Sequence, residues 1–128
     1  MFAIALAVTA CGRPQALPEA TEFADRYLDT MISGSRDELF EMYLPEFFDR
    51  TAREQWVERL ALVEEEIGKP VEFSRIKWTM EALPNGDFVT FEYRVTYTGG
   101  TAHETITVVK PVKTGEVGIF GHHIRPES

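Results

Sequence analysis

Length, composition and charge exclude several classes of protein. The chain has 128 residues, 44% of them hydrophobic, which suits one domain that builds its own core. Its net charge is −8 and it has no basic stripe, so neither nucleic acid nor electrostatic docking on anionic lipid is expected. With one cysteine and no Cys/His spacing typical of zinc sites, the sequence predicts no internal disulfide and no metal.

The charge is unevenly distributed along the chain. Residues 19–66 hold 14 acidic residues against five basic ones, whereas residues 67–128 hold seven of each. The acidic half is interpreted as a solvated helical face.

An uncharged apolar run, Phe2–Ala10, precedes the cysteine. Its nine residues are too few for a membrane-spanning helix, which needs about 20, but they suit the hydrophobic region of a signal peptide, about 7–15 residues long. The order Val8-Thr9-Ala10-Cys11 resembles the lipobox of bacterial lipoproteins.

That resemblance implies acylation of the Cys11 sulfur, cleavage before Cys11 and attachment to the bacterial cell envelope. Two or three acyl chains anchor a protein lastingly, whereas one chain does so only marginally. Gly12 stands where aspartate would signal retention in the inner membrane, so in a Gram-negative cell we expect the outer membrane, with the domain facing the periplasm.

The predicted organisation is a signal peptide over residues 1–10, lipidated Cys11 with a tether over 11–18, and one domain over 19–126. Two prolines and a glycine between Gly12 and Pro18 favour an irregular tether. No Lys or Arg precedes the apolar run, which departs from the signal-peptide pattern. We therefore expect either that the true start lies upstream of Met1 or that the apolar run was trimmed.

Three helices are predicted in the first half of the domain. Pro18 suits the first turn of a helix whose apolar stripe ends before Gly34. The capping box Ser35–Glu38 opens a short second helix, which Pro45 closes. A second capping box, Thr51–Glu54, opens a longer third helix.

After Pro70 the apolar period changes from 3.6 to 2, which predicts strands. Ile76, Trp78 and Met80 alternate with polar residues, and Pro84–Asp87 is typical of a hairpin turn. Further strands are predicted at residues 89–97, 102–109 and 117–124. The result is an α+β domain with three helices on one face of a four-stranded antiparallel curved sheet.

The order and size of these elements resemble the NTF2-like, or cystatin-like, fold, and in particular small NTF2-like lipoproteins of unknown function. Leu83–Gly86, Glu104–Val108 and Gly118–Gly121 carry the likeness, which spans most of residues 20–125. The fold implies a conical cavity between helices and sheet, lined by large rings. The pocket candidates are Tyr27, Trp56, Trp78, Tyr93 and His122, beside the further rings Tyr43 and Tyr97. Glu46–Phe48 is a candidate lid or contact patch.

His122 and His123 are adjacent in a predicted strand, so they point to opposite faces and cannot easily bind one metal ion. His122 faces the core if Phe120 and Ile124 do, and we favour that arrangement. His103 is expected to face solvent.

Glu104 is in phase with the apolar residues of its strand, at the mouth of the helix-facing side. We expect it to form a surface ion pair rather than a pocket carboxylate. Asp25 and Asp29 are conceivable general bases, but they fall on an acidic helical face with no sign of the apolar burial that raises a carboxyl pKa.

No catalytic constellation and no nucleotide-binding motif is visible, so neither an enzyme nor a cofactor is predicted. We expect a lipid-anchored domain that binds a small apolar ligand or an envelope protein. The alternatives are an isomerase- or hydrolase-type enzyme using a pocket His or Asp, and a structural homodimer joined through the sheet.

Overall fold

The computed structural model describes residues 16–127. The predicted signal peptide, Cys11 and the first part of the tether lie outside the described residues. No helix within 16–127 is both long enough and apolar enough to cross a membrane.

Four helices precede the sheet, where the sequence predicts three. Their bounds are α1 (Ala16–Ser33), α2 (Arg36–Phe40), α3 (Pro45–Arg50) and α4 (Arg53–Ile67). The additional helix is α3, because Pro45 not only follows α2 but also occupies the first turn of a new helix. Proline suits that position, where its missing N–H would have no helical partner. Residues 16–18 of the predicted tether belong to the first turn of α1.

The two predicted capping boxes have different outcomes. At α2 the box is confirmed: Ser35 Oγ accepts from the Glu38 N–H at 3.1 Å, and Glu38 Oε1 accepts from the Ser35 N–H at 2.9 Å. At α4 the prediction is wrong by one residue, since the N-cap is Ala52 and Gln55 Oε1 accepts from its N–H at 3.3 Å. Ala52 has no side-chain acceptor, so α4 has only half of a box.

The four strands form one curved antiparallel sheet in the order in which they follow one another. They are β1 (Pro70–Leu83), β2 (Gly86–Tyr97), β3 (Gly100–Pro111) and β4 (Gly118–Glu127). The predicted hairpin turn joins β1 to β2, with Leu83 opposite Gly86. The α+β class and the antiparallel sheet are therefore confirmed.

The core lies between the helices and one face of the sheet. Along β2 the side chains Val89, Phe91, Tyr93 and Val95 are at most 1% exposed and alternate with more exposed neighbours, as the sequence predicts. The helices cover this face of the sheet with Tyr27, Trp56 and other core side chains.

The predicted apolar face of β1 is wrong at Ile76 and Trp78, which are 54% and 48% exposed. A register shift between Arg75 and Lys77 leaves Ile76 as an extra residue, so the alternation breaks there. Trp78 lies opposite the buried Phe91 but at the edge of the sheet, where a side chain has a neighbouring strand on one side only.

Candidate functional site

A chain of hydrogen-bonded side chains runs through the core of the domain. We call it the buried network, and its members are Tyr27, Tyr43, Trp56, Tyr97, Glu104 and His122. Each is at most 9% exposed, counting only the side chain for His122. The network joins two helices (Tyr27 and Trp56) and the segment between α2 and α3 (Tyr43) to three strands, so it exists only when the helices are packed on the sheet.

Strand register brings the two ionisable members together. His122 on β4 lies opposite Ile106, and Glu104 lies opposite Ile124. Glu104 and Ile106 are two residues apart and therefore point to the same face of β3. His122 and Glu104 are diagonal neighbours on the inner face, within reach of each other.

The imidazole and the carboxylate are both removed from water. His122 Nε2 lies 2.6 Å from Glu104 Oε1, and neither side chain has any exposed area. The other carboxylate oxygen, Oε2, accepts a hydrogen bond from the Tyr97 hydroxyl. Both oxygens of Glu104 thus have a donor, as a buried carboxylate requires.

The other side of the imidazole faces the helices. His122 Nδ1 lies 2.8 Å from the Tyr27 hydroxyl, which in turn lies 2.7 Å from the Tyr43 hydroxyl. Trp56 Nε1 donates to the Tyr43 hydroxyl oxygen at 2.7 Å. The Tyr27 and Trp56 rings also contact the imidazole, with centroid distances of 5.4 and 5.3 Å.

The direction of each hydrogen bond in the network follows from the number of hydrogens and acceptors that its side chains provide. Trp56 can only donate, so the Tyr43 oxygen accepts from it and the Tyr43 hydrogen is free for Tyr27. Tyr27 then donates its own hydrogen to His122 Nδ1. The histidine carries its proton on Nε2 and donates it to Glu104. With neutral His122 and ionised Glu104, every hydrogen in the network has an acceptor.

The other neutral tautomer of His122 leaves a hydroxyl hydrogen unpaired. If His122 Nδ1 carried a proton, that N–H would donate to the Tyr27 oxygen. Tyr27 and Tyr43 would then hold two hydroxyl hydrogens with only one acceptor between them. A buried donor without a partner costs about 1–3 kcal/mol, so the geometry selects the Nε2–H tautomer.

The tyrosine hydroxyls of the network hold their protons firmly. Burial raises the pKa of Tyr27 well above 10, and the neighbouring Tyr43 and Glu104 raise it further. Burial raises the pKa of Tyr43 to about 12, against the opposing effect of its hydrogen bonds to Tyr27 and Trp56. Burial and then the Glu104 charge raise the pKa of Tyr97. These hydroxyls therefore act as donors at neutral pH.

The network lies in the interior, between the helices and the inner face of the sheet. A cavity of about 70 Å³ lies near its Tyr97 end, beside Met31, Leu39 and Leu60. A second, of about 200 Å³, lies elsewhere and is bordered by Glu46, among others. Both are smaller than the roughly 300–1,000 Å³ of pockets that hold small molecules.

The predicted pocket residues are only partly gathered. Tyr27, Trp56 and His122 are in contact, and the preference for an inward His122 is confirmed, while His123 is exposed. Tyr93 is buried, but its hydroxyl leaves the network and donates to Asp25 at 2.9 Å. Trp78 does not reach the site, because it lies on the edge strand and is half exposed.

Asp25, one of the two candidate general bases, is an ion-pair partner. Its carboxylate accepts from Arg75 at 2.8 and 3.0 Å and from the Tyr93 hydroxyl. About a third of the Asp25 side chain is exposed. The ion pair links α1 to β1 at the surface, away from the network.

The expectation of a surface ion pair for Glu104 is wrong, because Glu104 has no exposed area. The alternation along the strand places Glu104 on the same face as Ile106, so the sequence already indicated an inward side chain. His103, one residue earlier, faces the other side of the sheet and lies 2.9 Å from Glu92. Its side chain is 20% exposed, less than expected for a solvent-facing residue.

The candidate lid, Glu46–Phe48, lies in α3. Phe47 is 4% exposed and stacks on Tyr43, with a centroid distance of 4.5 Å. The segment is thus fixed to the network rather than free over it. Within residues 16–127, no three His, Cys, Asp or Glu side chains converge on a common point that suits a metal ion.

Comparisons of the chain with protein-family models, curated proteins and solved structures find no match.

Proposed function

We propose that this chain is a lipid-anchored protein of the bacterial envelope whose NTF2-like domain binds a protein partner on its surface and is not catalytic. The observation that carries the proposal is the closed buried network. It occupies the place where a small ligand or substrate would bind in a domain of this architecture.

The satisfaction of the network argues against a site that opens easily. Among residues 16–127, no buried side-chain nitrogen or oxygen lacks a hydrogen-bond partner. A ligand would have to displace the hydrogen bonds that join Glu104, His122 and Tyr27. Breaking them is costly, because a polar group without a partner is strongly destabilising in an interior of low dielectric constant. The nearby cavity of about 70 Å³ leaves room for little more than water.

The NTF2-like assignment is supported by the order of elements, with helices followed by a curved antiparallel meander. A short parallel bridge between Tyr43 and Ile119 attaches the segment after α2 to the last strand. This attachment fixes the segment after α2 to the outer edge of the sheet.

The anchor is supported by the sequence Val8-Thr9-Ala10-Cys11 and tested by cell fractionation. The Cys11→Ser chain should leave the membrane fraction and lose the mobility shift that accompanies processing. Thr9→Ala keeps a small residue at its position and serves as the matched control, which should stay membrane-bound. A Cys11→Ser chain that is still processed and fully membrane-bound would contradict the anchor.

The binding role is tested by native mass spectrometry of the protein extracted from its host envelope in a mild detergent. We expect a complex whose added mass is that of a polypeptide. An added mass of a few hundred daltons, lost when the domain is unfolded, would show a small ligand instead and refute the surface-binding role.

One observation favours a second candidate, an enzyme that uses His122. Tyr97 borders the small cavity and donates to Glu104, which contacts His122, so two side chains connect the cavity to the imidazole. Brief treatment of the folded chain with diethyl pyrocarbonate decides between the candidates. In a closed domain the exposed His123 reacts and His122 does not; equal labelling would show that the interior opens and favour the enzyme.

A further inference from the structure

The two edges of the sheet are treated differently by the rest of the chain. At the β4 edge, the segment 42–44 exchanges two backbone hydrogen bonds with Ile119, at 2.8 and 2.9 Å. Arg59 donates to the carbonyl oxygen of Ile124 at 2.7 Å. The β4 edge is thus partly covered from within the domain, as edges of stable monomers usually are.

The β1 edge is long and open. Within residues 16–127, β2 is the one strand that pairs with β1, and β1 has 14 residues. Its exposed side chains include Val71, Ile76 and Trp78, each about half exposed. An exposed, apolar edge strand presents free N–H and C=O groups and is a template for another strand.

We propose that a second copy of this chain pairs antiparallel with β1 across Lys77–Glu81, with Thr79 on the twofold axis. The two sheets would then form one continuous eight-stranded sheet. The inference rests on the proposed binding function and deepens it, since it names the partner at one edge of the domain.

The residues of this segment are complementary to themselves in that register. Thr79 lies opposite the partner's Thr79, so Lys77 lies opposite the partner's Glu81, twice by symmetry. Lys77 and Glu81 are both exposed in the single copy. Trp78 lies opposite the partner's Met80 on the other face. Opposite-charge and apolar cross-strand pairs each stabilise a sheet.

Neighbouring registers lose this complementarity. The register shift between Arg75 and Lys77 limits regular pairing to residues from Lys77 onward. An axis at Trp78 places Lys77 opposite Thr79, and an axis at Met80 places it opposite Leu83. Thr79 is the centre that joins Lys77 to Glu81.

The distribution of charge also favours association at the sheet. Residues 67–128 carry seven acidic and seven basic residues, whereas residues 19–66 carry nine more acidic than basic residues. An edge formed by β1 lies in the neutral half, so two copies meet there without the repulsion that their acidic helices would produce.

Disulfide trapping tests the register. The full-length Cys11→Ser chain carrying Thr79→Cys is purified in a mild detergent and oxidised. Directly opposed residues in an antiparallel pair have Cα atoms about 4.5–5.5 Å apart, within the range that a disulfide spans. Ser74→Cys in the same background is the matched control. In this register Ser74 lies ten residues from its own copy along the strand, about 33 Å.

The expected result is a covalent dimer with Thr79→Cys and none with Ser74→Cys. Equal trapping of both variants, or a Thr79→Cys chain that stays monomeric, overturns the proposal. If a different protein is then found bound to the envelope-purified chain, the dimer fails while the binding function stands.

A charge exchange tests the same pairing without cysteine. Lys77→Glu and Glu81→Lys should each weaken dimerisation at least about tenfold in sedimentation experiments, because like charges then face each other twice. The double variant Lys77→Glu/Glu81→Lys should recover wild-type association. Circular dichroism checks that each chain is folded. If the double variant is as weak as the single variants, the pairing is wrong.

Discussion

Tyr27→Phe tests the buried network most directly, because it removes one oxygen and leaves the shape of the side chain. The Tyr27 hydroxyl accepts from Tyr43 and donates to His122, at 2.7 and 2.8 Å. Without it, the Tyr43 hydrogen loses its acceptor and His122 Nδ1 loses its donor. The residue is fully buried, so water cannot replace either contact.

The magnitude follows from these two orphaned groups. Each buried polar group left without a partner costs about 1–3 kcal/mol, so we expect the free energy of unfolding to fall by about 4 kcal/mol. Domains of this size are stable by about 5–15 kcal/mol, so the loss would be a large fraction of the total. No cavity penalty is added, since Phe fills the same space.

The matched control is Tyr93→Phe, which also removes one hydroxyl from a buried ring. Its hydrogen-bond acceptor is Asp25, which keeps the Arg75 guanidinium and is about one third exposed. Water and Arg75 can satisfy that carboxylate, so we expect a loss of at most about 1 kcal/mol.

Urea denaturation followed by far-UV circular dichroism measures both variants, provided that the slope of the transition is unchanged. The explanation given for the network would be refuted if Tyr27→Phe cost no more than Tyr93→Phe. Such a result would mean that the network hydrogen bonds contribute nothing beyond the packing of the rings.

Two further predictions concern pH and the backbone. The pKa of Tyr43 is about 12 in the folded state, against 10 for an ordinary tyrosine, so the folded state binds the Tyr43 proton more tightly than the unfolded state does. The stabilisation that results is complete below pH 10 and is lost as pH rises through 12. The wild-type chain should therefore lose stability more steeply between pH 10 and 12 than Tyr43→Phe does, by up to about 3 kcal/mol in urea titrations; parallel curves would contradict this. Gly68→Ala should destabilise the domain by at least about 1–2 kcal/mol more than its control, Gly115→Ala. Both glycines have positive φ, but a Cβ at Gly68 would lie 2.0 Å from Thr98 Oγ1, whereas a Cβ at Gly115 would meet nothing within 4 Å. Thermal melts of the two variants compare them, and equal melting temperatures would show that the loop yields freely.

Much of the fold could be predicted because local patterns encode it. The capping box at Ser35 and the alternation along β2 each depend on residues close together in sequence, and both are confirmed. Pro45 shows the limit of such reasoning. A proline ends one helix and begins the next with equal ease, so the sequence predicted three helices where there are four.

The edge strand shows a second limit. Alternation predicted that Ile76 and Trp78 would be covered, but both are about half exposed on a strand that has a neighbour on one side only. The extra residue in β1 is a matter of pairing with β2, which no pattern within β1 reveals.

By itself, the sequence determined the class of the domain and the phase of Glu104, because strand alternation fixes which face each side chain takes. It left open which of His122 and His123 points inward, since the register shift in β4 lets both Ile119 and Ile124 be buried. It did not determine which side chains meet. Tyr27 and His122 are separated by 95 positions along the chain, and Tyr43 and Trp56 come from further segments. Only the packing of helices on the sheet decided that their polar atoms would satisfy one another, because a buried hydrogen bond depends on distances that no local pattern records.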